Sequence, residues 1–204
     1  MNKLVKDALT LTVITLVAGA ALGLVHAITL DPIAKAQEAA KQAAYKEVFE
    51  TAEAFTDLEG FDSAAATKTV ADAGFANDDI TGCVVAADAS GNPLGYVITV
   101  VTHDGYGGDI NFSVGITNEG TINGYSIMDI SETPGLGMKS TEEKFMSQFN
   151  NIKAQTLTVT KTGKTNEAEI DAISGATITS KSVTNGVNAC VAYFNTLAGG
   201  GANE

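Results

Sequence analysis

The chain has no tryptophan, two histidines, two cysteines and three prolines among its 204 residues. Cations are scarce too, with 12 Lys and Arg against 24 Asp and Glu and a formal net charge of −12. Each shortage removes a class of function. So few cations make a poor surface for a phosphate backbone, so no nucleic-acid partner is expected. Adsorption to anionic lipid heads is disfavoured for the same reason. Cys83 and Cys190 form no CxxC pair and no Cys/His cluster, so a zinc or iron–sulfur site is not expected. Cys83 sits in a strand-like run and Cys190 in a helix-like one. Two buried free thiols acting as small apolar groups are the expected state, and a disulfide is the alternative. His26 and His103 have no Ser or Cys nucleophile beside them. HExxH and calcium-loop patterns are missing as well. No catalytic residue set and no metal site are therefore expected, and a cofactor would have to bring the reactivity.

Apolar residues are plentiful, at 45%, which is enough for a sizeable core. Ala8 to Leu30 contains no Asp, Glu, Lys or Arg. At a rise of about 1.5 Å per residue this stretch just exceeds a hydrocarbon layer of about 30 Å. It is expected to be a single retained transmembrane helix over residues 8–30. Gly19, Ala20, Ala21 and Gly23 suit close approach of another membrane helix. Lys3 and Lys6 mark residues 1–7 as a cytoplasmic tail and place everything after Asp31 outside the cell membrane. His26 falls near the outer end of the span. A cleaved signal peptide ending at Val25-His26-Ala27 is the alternative, but signal h-regions are typically about 7–15 residues long.

The rest of the chain reads as α+β. Asp31-Pro32 is a helix start, with Asp as N-cap and Pro at the first position, and opens a membrane-proximal helix over 31–57. A globular domain spans 58–197, and 198–204 is a flexible tail. Residues 58–79 read as loops with a short helix. Strands are expected over 83–87, 94–102, 110–117 and 121–130, in pairs that predict an antiparallel sheet. A glycine loop, His103 to Asp109, separates the pairs. A helix follows over 141–149, a short strand over 157–161, and a last helix over 180–197.

Three segments are candidates for chemistry. Ser131-Glu-Thr-Pro-Gly-Leu-Gly137 lies between a strand and a helix. Its glycines permit positive φ or close approach, and Glu132 and Thr133 offer polar contacts to a planar ligand. A plain connecting loop is the alternative. Gly105-Tyr-Gly-Gly108 matches no phosphate fingerprint, yet Tyr106 can stack on an aromatic ligand. Asp171-Ala-Ile-Ser-Gly-Ala-Thr177 precedes the last helix. Thr177 offers a hydroxyl that can become a phosphate ester, and Gly175 and Ala176 leave room around it. A helix starting near Ser180 would aim its N–H groups at the ester, with Lys181 adding a cation. An ordinary helix cap fits the same residues.

Taken together, the single span, the strand-rich middle, Glu132-Thr-Pro-Gly-Leu-Gly137 and Asp171-Ala-Ile-Ser-Gly-Ala-Thr177 resemble the G subunits (RnfG) of the Rnf ion-translocating ferredoxin:NAD⁺ electron-transport complexes. The likeness to the C subunits of the sodium-translocating NADH:quinone reductases is weaker. The second motif matches the family's flavinylation pattern, Asp-x-x-Ser/Thr-Gly-Ala-Thr. The resemblance implies an antiparallel-sheet FMN-binding domain with FMN joined through its phosphate to Thr177. A separate flavin transferase using FAD would make that bond. It also implies that Glu132, Thr133, Leu136 and Gly137 lie against the flavin, beside the motif residues Ser174, Gly175 and Ala176. Lys139 and Tyr106 are added from position alone. The implied role is an electron relay among the other subunits of a redox-driven translocase. Two alternatives remain: a stand-alone extracellular FMN reductase, and an anchored binding module without redox chemistry.

Overall fold

Apolar residues at every second position build one large sheet. In the computed structural model, which describes residues 3–200 with side chains through 198, six strands pair antiparallel in sequence order. They are β1 (Ala54–Asp57), β2 (Asp78–Ala87), β3 (Pro93–Thr102), β4 (Ile110–Thr117), β5 (Thr121–Ile130) and β6 (Ile152–Lys153). Two further strands, β7 (Thr158–Thr160) and β8 (Glu169–Asp171), pair in parallel as a separate ribbon. The helices are α1 (Lys3–Val48), α2 (Ser63–Asp72), α3 (Glu143–Met146) and α4 (Thr177–Gly200).

The chain divides into two units, one ending at Lys41 and one starting at Gln42. The first unit is helical. Its most apolar 18 residues have a mean hydropathy of 2.2 and none is buried, the pattern of a helix whose partner is not its own chain. It is the one candidate membrane span among the described residues.

In the second unit the period-two pattern sorts side chains to two faces. Ile98, Val100, Ile110, Phe112, Val114 and Ile116 join Val183, Val187, Cys190 and Val191 of α4 in the main core. Val84, Ala86 and Val97 point the other way, into a smaller cluster with Tyr45, Val48, Phe49 and Ala52. Two glycines let the layers close. A Cβ on Gly186 would lie 2.6 Å from Phe112 Cζ, and one on Gly115 2.8 Å from the Val48 carbonyl oxygen. Both cysteines are free and buried. Burial pushes the Cys83 thiol up to about 12 and the Cys190 thiol well above its ordinary range.

Several elements depart from the sequence expectation. No new helix starts at Asp31, because α1 runs through Pro32 with one backbone donor fewer. The helix expected to reach 57 stops at Val48, and residues 54–57 become β1, which takes up the free edge of β2. The helix expected over 141–149 is broken into a 3₁₀ turn (Gly137–Thr141), α3 and a second 3₁₀ turn (Ser147–Phe149). Extended backbone at Glu142 makes the first break. Phe145 and Phe149 still reach the core. The last helix starts at Thr177, not Ser180, and continues through Ala198 to Gly200, so the expected tail is helical over 198–200. Residues 201–204 lie outside the described residues.

A buried polar chain crosses from sheet to helix. Asp78, 2% exposed, lies beside Thr102, whose hydroxyl is 3.0 Å from that of Ser182, and the Asp78 Oδ1 is buried with no hydrogen-bond partner. Burial raises the Asp78 carboxyl from 3.8 to about 6, against the pull of Thr102, with Asp104 adding repulsion. Between those two values the folded state holds a proton that the unfolded chain has lost. Stability from this group is therefore intact below about pH 4, falls as pH rises, and is lowest above about 6. Asp78→Asn is predicted to stabilise the protein at pH 8 by on the order of 2 kcal/mol. The gain should vanish at pH 4, as read by thermal unfolding of both proteins across that range.

Candidate functional site

Thr177 is the first residue of α4, and one buried hydroxyl sets its position. Ser180, fully buried, accepts from the Ile173 N–H at 2.9 Å and donates to the Ala176 carbonyl at 2.8 Å. The same carbonyl takes the Ser180 N–H at 3.0 Å, and Ala176 N–H closes onto the Ile173 carbonyl at 2.9 Å. The loop Ile173–Ala176 is thereby tied to the first turn of the helix it precedes. Gly175 sits at its tip with φ +80°, and a Cβ there would lie 3.1 Å from Leu136 Cδ2. The N–H groups of Thr177, Ile178 and Thr179 belong to the first helical turn, where no i−4 acceptor exists.

A second clamp joins two loops distant in sequence. Glu132 is 7% exposed. Its Oε1 accepts from the Tyr106 N–H at 2.7 Å and the Gly107 N–H at 3.2 Å. A Cβ on Gly137 would sit 2.7 Å from Glu132 Cδ, so only glycine lets the loop fold back over the carboxylate. At the stem of the Tyr106 loop, His103 bridges Asp109 at 2.9 Å and Asp79 at 3.1 Å. The bond to Asp109, then that to Asp79, raises its pKa.

These clamps shape a cleft of about 380 Å³ lined by Tyr106, Glu132, Thr133, Leu136, Gly137 and the segment Gly175 to Thr179. That volume lies within the roughly 300–1,000 Å³ of small-molecule sites. Eight residues singled out in the sequence meet here: Tyr106, Glu132, Thr133, Leu136, Gly137, Gly175, Ala176 and Thr177. Lys139 and Ser174 do not. They line a neighbouring cavity of about 430 Å³, behind the same loop, with Asp171. Lys181 is exposed and lines neither. Glu132 turns out to be engaged by backbone donors rather than free for a ligand. Ile178 and Thr179 were missed. Ile178 had a sequence signal, a large apolar residue at a helix start, and it is 54% exposed.

The hydroxyls near the helix start differ sharply. Among the described hydrogen bonds none engages Thr177 Oγ1, and the residue is partly exposed on the cleft. Thr179 borders the cleft but is only 1% exposed, and Ser180 and Ser182 are fully buried. Ser174 is exposed on the other side of the loop. At the start of α4 the cleft thus offers one accessible hydroxyl and the backbone donors of the first turn, with Thr133 and Tyr106 adding hydroxyls from the facing loops and Tyr106, Leu136 and Ile178 supplying apolar walls. That combination suits a planar aromatic group carrying a phosphate.

Comparison with known proteins gives this geometry a class. A family model described as the FMN-binding domain matches residues 105–192, a range that holds every cleft residue. A second, the RnfG N-terminal region, matches residues 1–48. The G subunit of the ion-translocating oxidoreductase complex of Methanosarcina acetivorans is 32% identical over 202 residues, covering 97% of this chain and 98% of that one. The G subunit of the Na⁺-translocating ferredoxin:NAD⁺ oxidoreductase complex of Acetobacterium woodii is 32% identical over 195 residues, 95% and 92% of the two chains. The proton-translocating counterpart from Clostridium ljungdahlii is 42% identical over 115 residues, 56% of this chain but only 61% of that relative. In fold, the chain is similar to the C subunit of the Na⁺-translocating NADH-quinone reductase of Parabacteroides distasonis. The TM-score is 0.53 at 22% identity, covering 81% of this chain and 96% of that one. The chain belongs to the RnfG family, the G subunits of ion-translocating oxidoreductase complexes.

Ser180→Ala removes both side-chain bonds that hold the loop before Thr177. It is predicted to cost about 1–3 kcal/mol. Amide hydrogen exchange at Ile173 should accelerate by at least tenfold while the amides of β3 and β4 keep their wild-type ranking.

Proposed function

We propose that the protein is the membrane-anchored flavoprotein subunit of a redox-driven ion-translocating complex, with FMN held through a phosphoester to Thr177 Oγ1. One observation supports the residue assignment: of the hydroxyls around the α4 start, Thr177 is the one partly exposed on the cleft with no described hydrogen bond to its Oγ1. The cleft suits the group on its own terms. Its volume is adequate, Tyr106, Leu136 and Ile178 supply apolar surface, and the first turn of α4 supplies donors to a phosphate. FMN, when bound, supplies one- and two-electron transfer. The chain's own residues then have three tasks. Thr177 holds the phosphate end by a covalent bond, so retention does not depend on free FMN outside the cell. Ser180 fixes the turn that presents Thr177. Glu132 holds the Tyr106 loop and the Thr133–Gly137 loop at one spacing, which sets the width of the cleft.

The remaining parts of the reading follow from the anchor and the family. Lys3 and Lys6 keep the N-terminus cytoplasmic and the flavin domain extracytoplasmic, on a single span. A flavin transferase moves the FMN phosphoryl group from FAD to Thr177 Oγ1, so that the phosphoanhydride bond of FAD breaks as the phosphoester forms, and AMP and the hydroxyl proton leave. The neighbours in electron transfer are other subunits of the complex, as the names of the relatives suggest.

Protein produced together with a flavin transferase is predicted to show in-gel flavin fluorescence after denaturation. Thr177→Ala should abolish the signal, Thr177→Ser should keep part of it, and Thr179→Ala should leave it intact. Mass spectrometry of the peptide over 170–181 places the adduct. No fluorescence in the wild-type protein would overturn the covalent reading, and an adduct on another residue would overturn Thr177.

A further inference from the structure

We propose that Glu132 sets the reduction potential of the flavin, as the one formally charged side chain among the residues that line the cleft. The proposal rests on the flavin reading above and gives Glu132 an electrical task beyond holding two loops together.

Ten residues line the cleft, and the other nine are Gly, Ala, Leu, Ile, Thr or Tyr. Glu132 is 7% exposed. Its Oε1 takes the Tyr106 and Gly107 N–H groups. Among the described hydrogen bonds none engages Oε2, and that oxygen is the first atom a Cβ on Gly137 would strike. Gly137 itself lines the cleft, so the unengaged oxygen sits at the cleft wall. No described ion pair uses Glu132. Lys139 lines the neighbouring cavity instead, and Lys181 lines neither. A neutral amide oxygen would accept the same two N–H groups, so the clamp by itself does not call for a charge.

Burial gives this charge its weight. Coulomb energy varies inversely with the local dielectric constant, and exposed charges are screened by salt as well. Asp104 and Asp109 are exposed on the Tyr106 loop and are screened. Glu132 is enclosed. Reduction brings electrons into the cleft and draws protons from solvent. A fixed anion at the wall opposes the electrons and favours the protons. Glu132 thereby holds the bound flavin at a lower potential, as a stronger reductant, than a neutral residue would.

The test uses full-length protein made together with a flavin transferase and purified in detergent. In-gel fluorescence first establishes that flavin is bound, and its absence sinks the flavin reading and this proposal together. The loaded protein is then titrated with dithionite, which gives up two electrons and becomes sulfite, and flavin absorbance against a reference dye yields the midpoint potential. Glu132→Gln keeps an oxygen for both N–H groups and removes the charge. Its equilibrium should favour the reduced form about tenfold more, a rise of about 30 mV for two electrons. Glu132→Asp keeps the charge on a shorter stem. Amide exchange at Tyr106 and Gly107 should then accelerate, while the potential stays closer to wild type than that of Glu132→Gln. Glu119→Gln is the control and should leave the potential unchanged. Glu119 is exposed beside Gly120, which meets Phe194, 17 residues and about 25 Å along α4 from Thr177. Should Glu132→Gln fail to fold, Thr133→Lys sets a cation next to the carboxylate from an exposed position and should also raise the potential. With flavin bound, the proposal is overturned if the neutralising variant matches wild type, if Glu119→Gln shifts the potential equally, or if Glu132→Asp raises it as much as Glu132→Gln. Any of these outcomes leaves the flavin reading standing.

Discussion

The hydroxyl of Ser180 is the constraint on which the site depends. It satisfies one donor and one acceptor of the loop before α4 while sitting fully buried in the helix itself. A buried backbone N–H without a partner is costly, so Ile173 cannot leave that hydroxyl cheaply. The loop therefore cannot slide along the helix, and the helix has one starting residue. Everything presented on the cleft by this segment inherits that register.

The helix passes the register on to the core. Gly186 lets it settle against Phe112, and Ser182 meets Thr102. Asn188 donates to the Leu157 carbonyl and accepts the Leu157 N–H, at 2.9 and 2.8 Å, pinning the segment that leads into β7. One helix thus fixes a site at its start and a sheet along its length. On the other side of the cleft, the Glu132 carboxylate does the corresponding job between loops. The two clamps share no residue, yet Leu136 against Gly175 brings their loops into contact.

Three of the four long strands, β3, β4 and β5, were legible because alternation over eight to ten residues is a strong signal, whereas β2 was expected only over 83–87 and starts at Asp78. The bounds expected for β4 and β5 are those observed. Short edges were not legible. β1, β6 and β8 have four, two and three residues, too few for periodicity to stand out, and they exist because a neighbouring strand offers free backbone groups. The segment 141–149 carries helical spacing, but what it needed was to bring Phe145 and Phe149 inward, and broken turns achieve that equally well. The site was legible through two motifs whose family resemblance joined them. The contact of Tyr106 with Glu132 was not, since its 26-residue separation follows no local period. Lys139 was placed by position and Ser174 by its motif, and both line the neighbouring cavity instead of the cleft.

The uneven exposure of the hydroxyls around the α4 start also carries a temporal order. In an extended chain Ser174, Thr177, Thr179, Ser180 and Ser182 are alike to any reagent reading accessibility. Folding hides three of them and turns a fourth away from the cleft. On the proposed reading, a choice of Thr177 based on access arises only once α4 has docked, so loading marks finished domains and passes over unfolded ones.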